Sequence, residues 1–344
     1  MLLIGQDPSF ADHDPGRGHP ERAARLEAVA AGVAESHLDG DVLTLPPRDA
    51  TPEELERVHT PEHLARVEAL CESGGGALDL DTSVSERSWV AAVRAAGAGL
   101  AAVDALSRGD GAAAFLALRP PGHHARPAVP MGFCLVNNVA VTAAALADAG
   151  ERVCVVDYDA HHGNGTQEIF YGDPGVLYVS LHEWPLYPGT GRLDETGTGA
   201  GAGGTCNLPL PAGATGDVYL RAFDDVIEPL IERFAPGWLL VSAGFDAHRA
   251  DPLTGLGLSA GDYGALAARM AELAPAPGRL IAFLEGGYDL DALRASVAAT
   301  LPALIGAPVR AAESPTAGGP GTDVVDAARH LWSSGQSGGA VEAG

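Results

Sequence analysis

The chain has 344 residues, 46% hydrophobic and 19% charged, proportions that suit a globular protein with a sizeable core. Its 21 Lys and Arg stand against 45 Asp and Glu, a formal net charge of -24. So acidic a chain repels phosphate backbones, which excludes nucleic acid as a partner, and attracts a cationic or amine-bearing substrate instead.

The opening MLLIGQDPSF has one short apolar run and no basic region before it, so it reads as a first strand over residues 2–5 and not as a signal peptide. A helix over 21–35 and a strand over 42–45 follow. Thr51-Pro52-Glu53-Glu54 combines an N-cap, a first-turn proline and a capping-box glutamate, so a helix starts there. Further strands are predicted over 113–117, 153–157, 176–180, 238–242 and 280–284, and helices over 85–108, 138–149, 217–234 and 259–273. Apolar strands separated by helices predict an α/β fold, a mostly parallel central sheet with helices on both faces. Residues 1–310 form one catalytic domain on this reading. Residues 311–344, rich in Ala, Gly, Ser and Pro, form a mobile tail with a short helix near 323–331. No apolar stretch reaches membrane-spanning length. Cys71, Cys134, Cys154 and Cys206 lie too far apart for a disulfide framework or a thiolate metal site. The cytoplasm is the expected location, with no membrane partner.

In a parallel sheet, ligands bind at the carboxyl ends of the strands. Arg119-Pro-Pro-Gly-His123-His124, Asp157-Tyr-Asp159-Ala-His161-His162-Gly-Asn164, Ser180-Leu181-His182, Asp246 and Glu285-Gly-Gly-Tyr288 each follow or close a predicted strand. Asp157, Asp159 and His161 alternate along an extended segment and so leave it on one face. A single aspartate there could cap a helix, but two carboxylates and an imidazole together are costly to bury without a cation. Asp246 completes a three-ligand set that suits zinc with a fourth position open. His123 and His124, held on a Pro-Pro-Gly turn, suit general-base work near neutral pH, and Tyr288 suits a donor to a developing oxyanion.

The segments HPER (19–22), RPPGHHA (119–125), GFCLVNN (132–138), DYDAHHGNGTQ (157–167), YVSLH (178–182), YPGTG (187–191), SAGFDAHRADPLTGL (242–256) and EGGYD (285–289) resemble the histone deacetylase and acetylpolyamine amidohydrolase family, in the family's order. The resemblance implies the arginase/deacetylase fold and a zinc-dependent deacylase acting on an acyl-lysine protein or peptide, or on another acylated amine such as a polyamine. It implies one zinc per chain on Asp159, His161 and Asp246, and Tyr288 polarising the acyl oxygen. It makes His123 and His124 the paired catalytic histidines, oriented by Asp157 and Asn164, the asparagine matching the class II pattern. It further implies a K+ or Na+ ion near Asp157, Asp159, His161, Ser180 and Leu181. Phe133 and Tyr187 would wall an acyl-chain channel, with Gly132 and Leu253 as further substrate contacts. Association into a homo-oligomer is left open.

Three rival readings meet obstacles in the sequence. A dinucleotide loop at Gly197–Gly204 has no helix after it to receive a pyrophosphate, so the run is read as a rim loop of the active site. A two-metal ureohydrolase needs carboxylates where Gly163 and His248 stand. A non-catalytic acyl-lysine binder would be favoured by loss of Tyr288, His124 or a metal ligand, and none is lost. His162 is read as structural and His13, His37, His59, His63 and His330 as surface or capping residues. His19 and His182 are weaker candidates for the entrance.

Overall fold

The computed structural model describes residues 1–334. Among them, the strands in chain order are β1 (Leu2–Gly5), β2 (Val42–Leu45), β3 (Gly75–Ala77), β4 (Ser83–Ser85), β5 (Ala113–Leu116), β6 (Val153–Asp157), β7 (Val176–Glu183), β8 (Thr205–Leu210), β9 (Trp238–Ala243) and β10 (Leu280–Leu284). Eight of these pair in the order β2-β1-β5-β10-β9-β6-β7-β8, every neighbouring pair parallel, while β3 and β4 form a separate antiparallel hairpin. The α/β architecture expected from the sequence, a parallel central sheet with helices on both faces, is the one observed.

The strand pleat divides the core in two. Leu2, Ile4, Phe115, Val156, Val241 and Ala282 face one layer, and Leu3, Leu116, Val155, Leu240, Ile281 and Phe283 face the other. Helices Ala24–Glu35, Ala260–Leu273 and Leu290–Ala303 cover the first through Val29, Met270 and Val297. Helices Pro61–Glu72, Ser88–Ser107 and Asn138–Asp148 cover the second through Val67, Ala95 and Val139. Gly99 permits close approach of its helix, since a Cβ there would lie 2.7 Å from the Phe283 ring and 2.0 Å from Thr142 Oγ1. The helix Ser88–Ser107 corrects one expectation, because its 20 residues are long and apolar enough to cross a membrane by length and composition. Most of it is buried inside the fold, which also explains its apolarity.

Other differences have local causes. The helix expected over 217–234 divides into Gly216–Ala222, a wider π turn at Phe223–Ile227, and Glu228–Phe234. Pro229 lacks an N–H and its ring crowds the carbonyl four residues back, which the wider turn relieves. β8 is an edge strand containing Pro209, a residue that hides a strand from pattern reading. The glycine run before it is not on the active-site rim. It brings the chain back to the amino end of the sheet, where Gly204 accepts from Tyr178 N and Thr198 N bonds to Tyr171 O.

The tail is docked where loose chain was expected, as far as the described residues extend. The Thr316 amide and hydroxyl both donate to Asp262, Gly319 N donates to Thr215 Oγ1, and Gly318 N donates to Asp217. The helix Thr322–Ser334 then buries Val325 and Ala328 in the core. Composition alone reads such residues as unable to build a core. Here their backbone groups and short hydroxyls meet the amino-terminal turns of two helices. Residues 335–344 of the expected tail lie outside the described residues.

His13, His59 and His63 are buried, contrary to expectation. His13 Nδ1 meets Ser88 Oγ at 2.7 Å, and His63 Nε2 donates to Leu135 O at 2.9 Å. His59 joins Arg126 O to Asn137 N. Burial, reinforced by His63, pushes the His59 imidazole down to about 3, and burial takes His162 to the same value. The unfolded chain binds these protons near pH 6.5, whereas the folded chain resists them to about pH 3. The contribution of these two histidines to stability is therefore complete above pH 6.5 and is lost as pH falls through that window. Glu21, whose burial penalty is outweighed by His13 and Arg119, has a strongly lowered pKa and adds a further loss below about pH 4.5. The expected result is that the Tm of the wild type falls relative to that of His59→Gln, which has no proton to gain at this position, between pH 7 and pH 5, read by scanning calorimetry. Equal changes in the two proteins over that interval would contradict the assignment.

Candidate metal centre and active site

An all-parallel sheet places every strand's carboxyl end on one edge, and the chemical groups gather there. Asp157 ends β6, and Asp159 and His161 follow it. The chain bends after Asp157 and does not stay extended. Asp159 N donates to Asp157 Oδ1 at 3.1 Å and His161 N to Asp159 Oδ1 at 2.9 Å. These carboxylate turns, and not strand alternation, aim the side chains together.

Asp246, beyond β9, completes the cluster, and donor atoms of Asp159, His161 and Asp246 lie within 4.8 Å of one another. His161 Nδ1 stands 2.9 Å from Asp246 Oδ2 and 3.3 Å from Asp159 Oδ1. Each carboxylate is held from behind by a backbone amide, Asp246 by Ala160 N and Asp159 by Gly286 N, both at 2.8 Å. Glycine is required beside them, because a Cβ on Gly286 would come within 2.3 Å of Asp246 Oδ2. Burial, then the charge of Asp159, pushes the Asp246 carboxyl up to about 7. The ion-pair partners of both aspartates among the described residues are histidines. Two buried carboxylates and an imidazole, with no arginine or lysine to neutralise them, fit a divalent cation, and the mixed oxygen and nitrogen donors fit zinc.

The two adjacent histidines are electrostatically unequal. Their rings are 4.0 Å apart. His123 Nδ1 donates to Asp157 Oδ2 at 3.0 Å, and the Tyr178 hydroxyl donates to the same oxygen at 3.1 Å. Burial opposes the His123 cation, but Asp157 and Asp159 outweigh it and push its pKa up to about 10. His124 Nδ1 meets Asn164 Oδ1 at 2.9 Å, and an amide oxygen only accepts, so Nδ1 carries the hydrogen. Burial, with His123 and His161 nearby, holds His124 well below the ordinary imidazole value. His124 is thus neutral, with its hydrogen on Nδ1 and a lone pair on Nε2.

A cavity of about 250 Å³ opens onto this cluster, lined by Asp81, His124, Gly132, Phe133, His161, Leu186, Tyr187, Leu253 and Tyr288. Tyr187 stands edge-on to His124 with ring centres 5.3 Å apart, and Phe133 edge-on to Tyr288 at 5.8 Å. Gly132 and Phe133 both have positive φ, +56° and +67°. Such a backbone costs a phenylalanine about 1–3 kcal/mol. It is held by Asp81 Oδ1, which accepts from Gly132 N, and by Thr82 Oγ1, which accepts from Phe133 N.

The structure therefore brings His123, His124, Asp157, Asp159, His161, Asn164, Asp246 and Tyr288 to one place, with Gly132, Phe133, Tyr187 and Leu253 on the cavity. Ser180 and Leu181 lie in β7 behind it, Ser180 Oγ bonded to His182 Nδ1. His162 turns away to Thr190 and Gln167, as expected of a structural residue. His182 is buried against Gly191 O, away from the entrance, whereas His19 packs on Phe133 with ring centres 4.5 Å apart. His248 and Arg249 both reach Glu313, so neither faces the cavity. Sequence reasoning missed Asp81, Leu186, Asp251 and the role of Glu285, whose Oε2 accepts from Gly122 N and His123 N. Glu285 lies in EGGYD and Asp251 in SAGFDAHRADPLTGL, so both carried a signal. Asp81, on a hairpin tip, carried no signal.

A parallel α/β sheet with an Asp/His/Asp cluster, paired histidines and a tyrosine at its carboxyl edge defines a hydrolase of the arginase/deacetylase fold. Residues 19–304 match the histone deacetylase domain, and the chain belongs to that family. It is 40% identical over 290 residues to a probable deacetylase of Archaeoglobus fulgidus, covering 82% of this chain and 80% of the relative. Histone deacetylase 10, chloroplastic, of Oryza sativa subsp. japonica is 38% identical over 346 residues, covering 92% and 77%. The solved structure of the HDA15 HD domain superposes with a TM-score of 0.88 at 36% identity, covering 97% of this chain and 95% of that one. Family and fold thus match deacetylases and amidohydrolases that act on acylated amines.

Proposed function

We propose that this protein removes an acyl group, most simply acetyl, from the ε-amine of lysine in a protein or peptide. The observation that carries this reading is the narrow aromatic-walled cavity, with His124, His161 and Tyr288 on it and Leu253 at its lip. A lysine's alkyl stem suits an apolar wall, and its acyl end would reach the cluster. Asp159, His161 and Asp246 would hold one zinc ion, which when bound supplies a polarised amide carbonyl and an acidified water. His124 Nε2 takes a proton from water as the oxygen adds to the acyl carbon. The Tyr288 hydroxyl donates a hydrogen bond to the acyl oxygen as charge develops there. As the C–N bond breaks, the proton held by His124 passes to the amine nitrogen, and the carboxylic acid formed gives its own proton to the amine, so that carboxylate and ammonium depart. His123, kept protonated by Asp157, offsets the negative charge beside the reacting carbon.

We assign catalysis to residues 1–310, and a K+ or Na+ ion to the neighbourhood of Asp157, Asp159, His161, Ser180 and Leu181 as a structural ion. Four buried free thiols suit a reducing cytoplasm.

Asp81 favours a second reading, an acetylated polyamine whose distant ammonium meets a carboxylate on the cavity wall. One Asp81 oxygen is committed to Gly132 N and the Thr82 hydroxyl, which favours a role in shaping the wall. The net charge of -24 draws polycations at long range, but salt screens that field beyond about 10 Å. The test compares kcat/KM for acetyl-lysine peptides with acetylated putrescine and spermidine at matched ionic strength. Peptides are expected to be preferred. A tenfold preference for the polyamines would overturn the substrate assignment and leave the hydrolytic chemistry standing.

A further inference from the structure

Asp251 is 7% exposed and forms no ion pair among the described residues. Its carboxylate is spent on backbone amides from two separate loops. Oδ2 accepts from Tyr288 N at 2.7 Å and more weakly from Asp289 N at 3.4 Å, while Oδ1 accepts from Leu253 N at 3.0 Å. One carboxylate thus joins the turn that carries Tyr288 to the loop that puts Leu253 on the cavity wall.

The turn needs such a tie. Gly286 and Gly287 precede Tyr288, and Gly287 sits at φ +116°, so side-chain sterics do little to fix this stretch. Its conformation depends on bonds from outside. Gly286 N is held by Asp159, Gly286 O by Phe245 N and Gly287 O by Arg25 Nε, but these end one residue short of the tyrosine. At Tyr288 itself, the bond to Asp251 anchors the amide. The tyrosine ring lies against Phe133 and beneath the Arg25 guanidinium, contacts that hold the ring and not the backbone that carries it.

We propose that Asp251 is a positioning residue for the reaction, fixing the backbone of Tyr288 so that its hydroxyl meets the acyl oxygen, and linking that placement to the substrate contact at Leu253. The inference rests on the reading of Tyr288 as the oxyanion donor. A displacement of about 1 Å at such a donor is enough to cost up to a hundredfold in rate. Asp251 touches neither substrate nor the reacting atoms.

The test is a double-mutant cycle on the full chain, using an acetyl-lysine peptide, with zinc content and Tm measured for every variant. Asp251→Asn keeps the shape but offers a single acceptor oxygen to two loops, and Asp251→Ser serves if the asparagine variant folds poorly. The expected result is a kcat lowered by about tenfold or more with KM changed less than threefold and zinc retained. In a Tyr288→Phe background the same substitution should cost less than threefold, because the group it positions is already gone. Equal losses in both backgrounds would make Asp251 merely structural and overturn the inference. An unchanged kcat in Asp251→Asn would overturn it too, while a slow Tyr288→Phe would leave the reading of the tyrosine intact. If Tyr288→Phe itself turns over normally, that reading fails first and the inference falls with it.

Discussion

Replacing His161 with alanine is expected to abolish turnover and release the metal together, leaving a folded chain. His161 is the only nitrogen donor of the cluster, and it lies between Asp159 and Asp246. Without it two buried carboxylates remain, too few donors to hold zinc in a site open to substrate. The aspartates are braced by Gly286 N and Ala160 N, and neither bond involves the His161 side chain, so the fold survives. Metal analysis of the purified wild type should find about one zinc per chain, and the His161→Ala variant less than a tenth of that. Activity should fall by at least about a thousandfold, as when a hydrolase loses its Lewis acid. Two tightly held divalent metals per wild-type chain would refute the single-zinc centre. So would a variant that keeps both zinc and turnover.

Tyr288→Phe is expected to keep zinc, fold and substrate affinity while lowering kcat by about 100–1,000-fold, the range for loss of one oxyanion donor. The phenol lines the cavity beside His124 and His161. Burial, and then the charges of Asp246 and Asp159, hold its pKa well above the ordinary phenol value, so at pH 7 it keeps the hydrogen it must donate. The ring is packed by Phe133 and Arg25, contacts that phenylalanine keeps, so the substitution removes one hydroxyl and little else. Steady-state kinetics on an acetyl-lysine peptide, with zinc content as control, reads the effect. Turnover within threefold of wild type would show that a different donor serves the oxyanion.

The sequence by itself determined seven of the eight strands of the main sheet and the edge on which the chemistry collects. Burial on both faces of a parallel sheet demands unbroken apolar runs such as 153–156 and 280–284, and a parallel sheet has one carboxyl edge. Asp159, His161 and Tyr288 were legible because each follows such a run directly. The tertiary structure alone decided what holds and tunes them. The unequal charge states of His123 and His124 depend on Asp157 and Asn164, residues more than thirty positions away. Asp81 reaches Gly132 across 51 positions, Asp251 reaches Tyr288 across 37, and Glu285 reaches Gly122 across 163. The docked strap at Thr316 depends on Asp262, 54 positions earlier. Periodicity records which face of an element is buried, a property of neighbouring residues. A carboxylate that accepts amides from a distant loop leaves no period, and its role exists only once folding has brought its partners within about 3 Å.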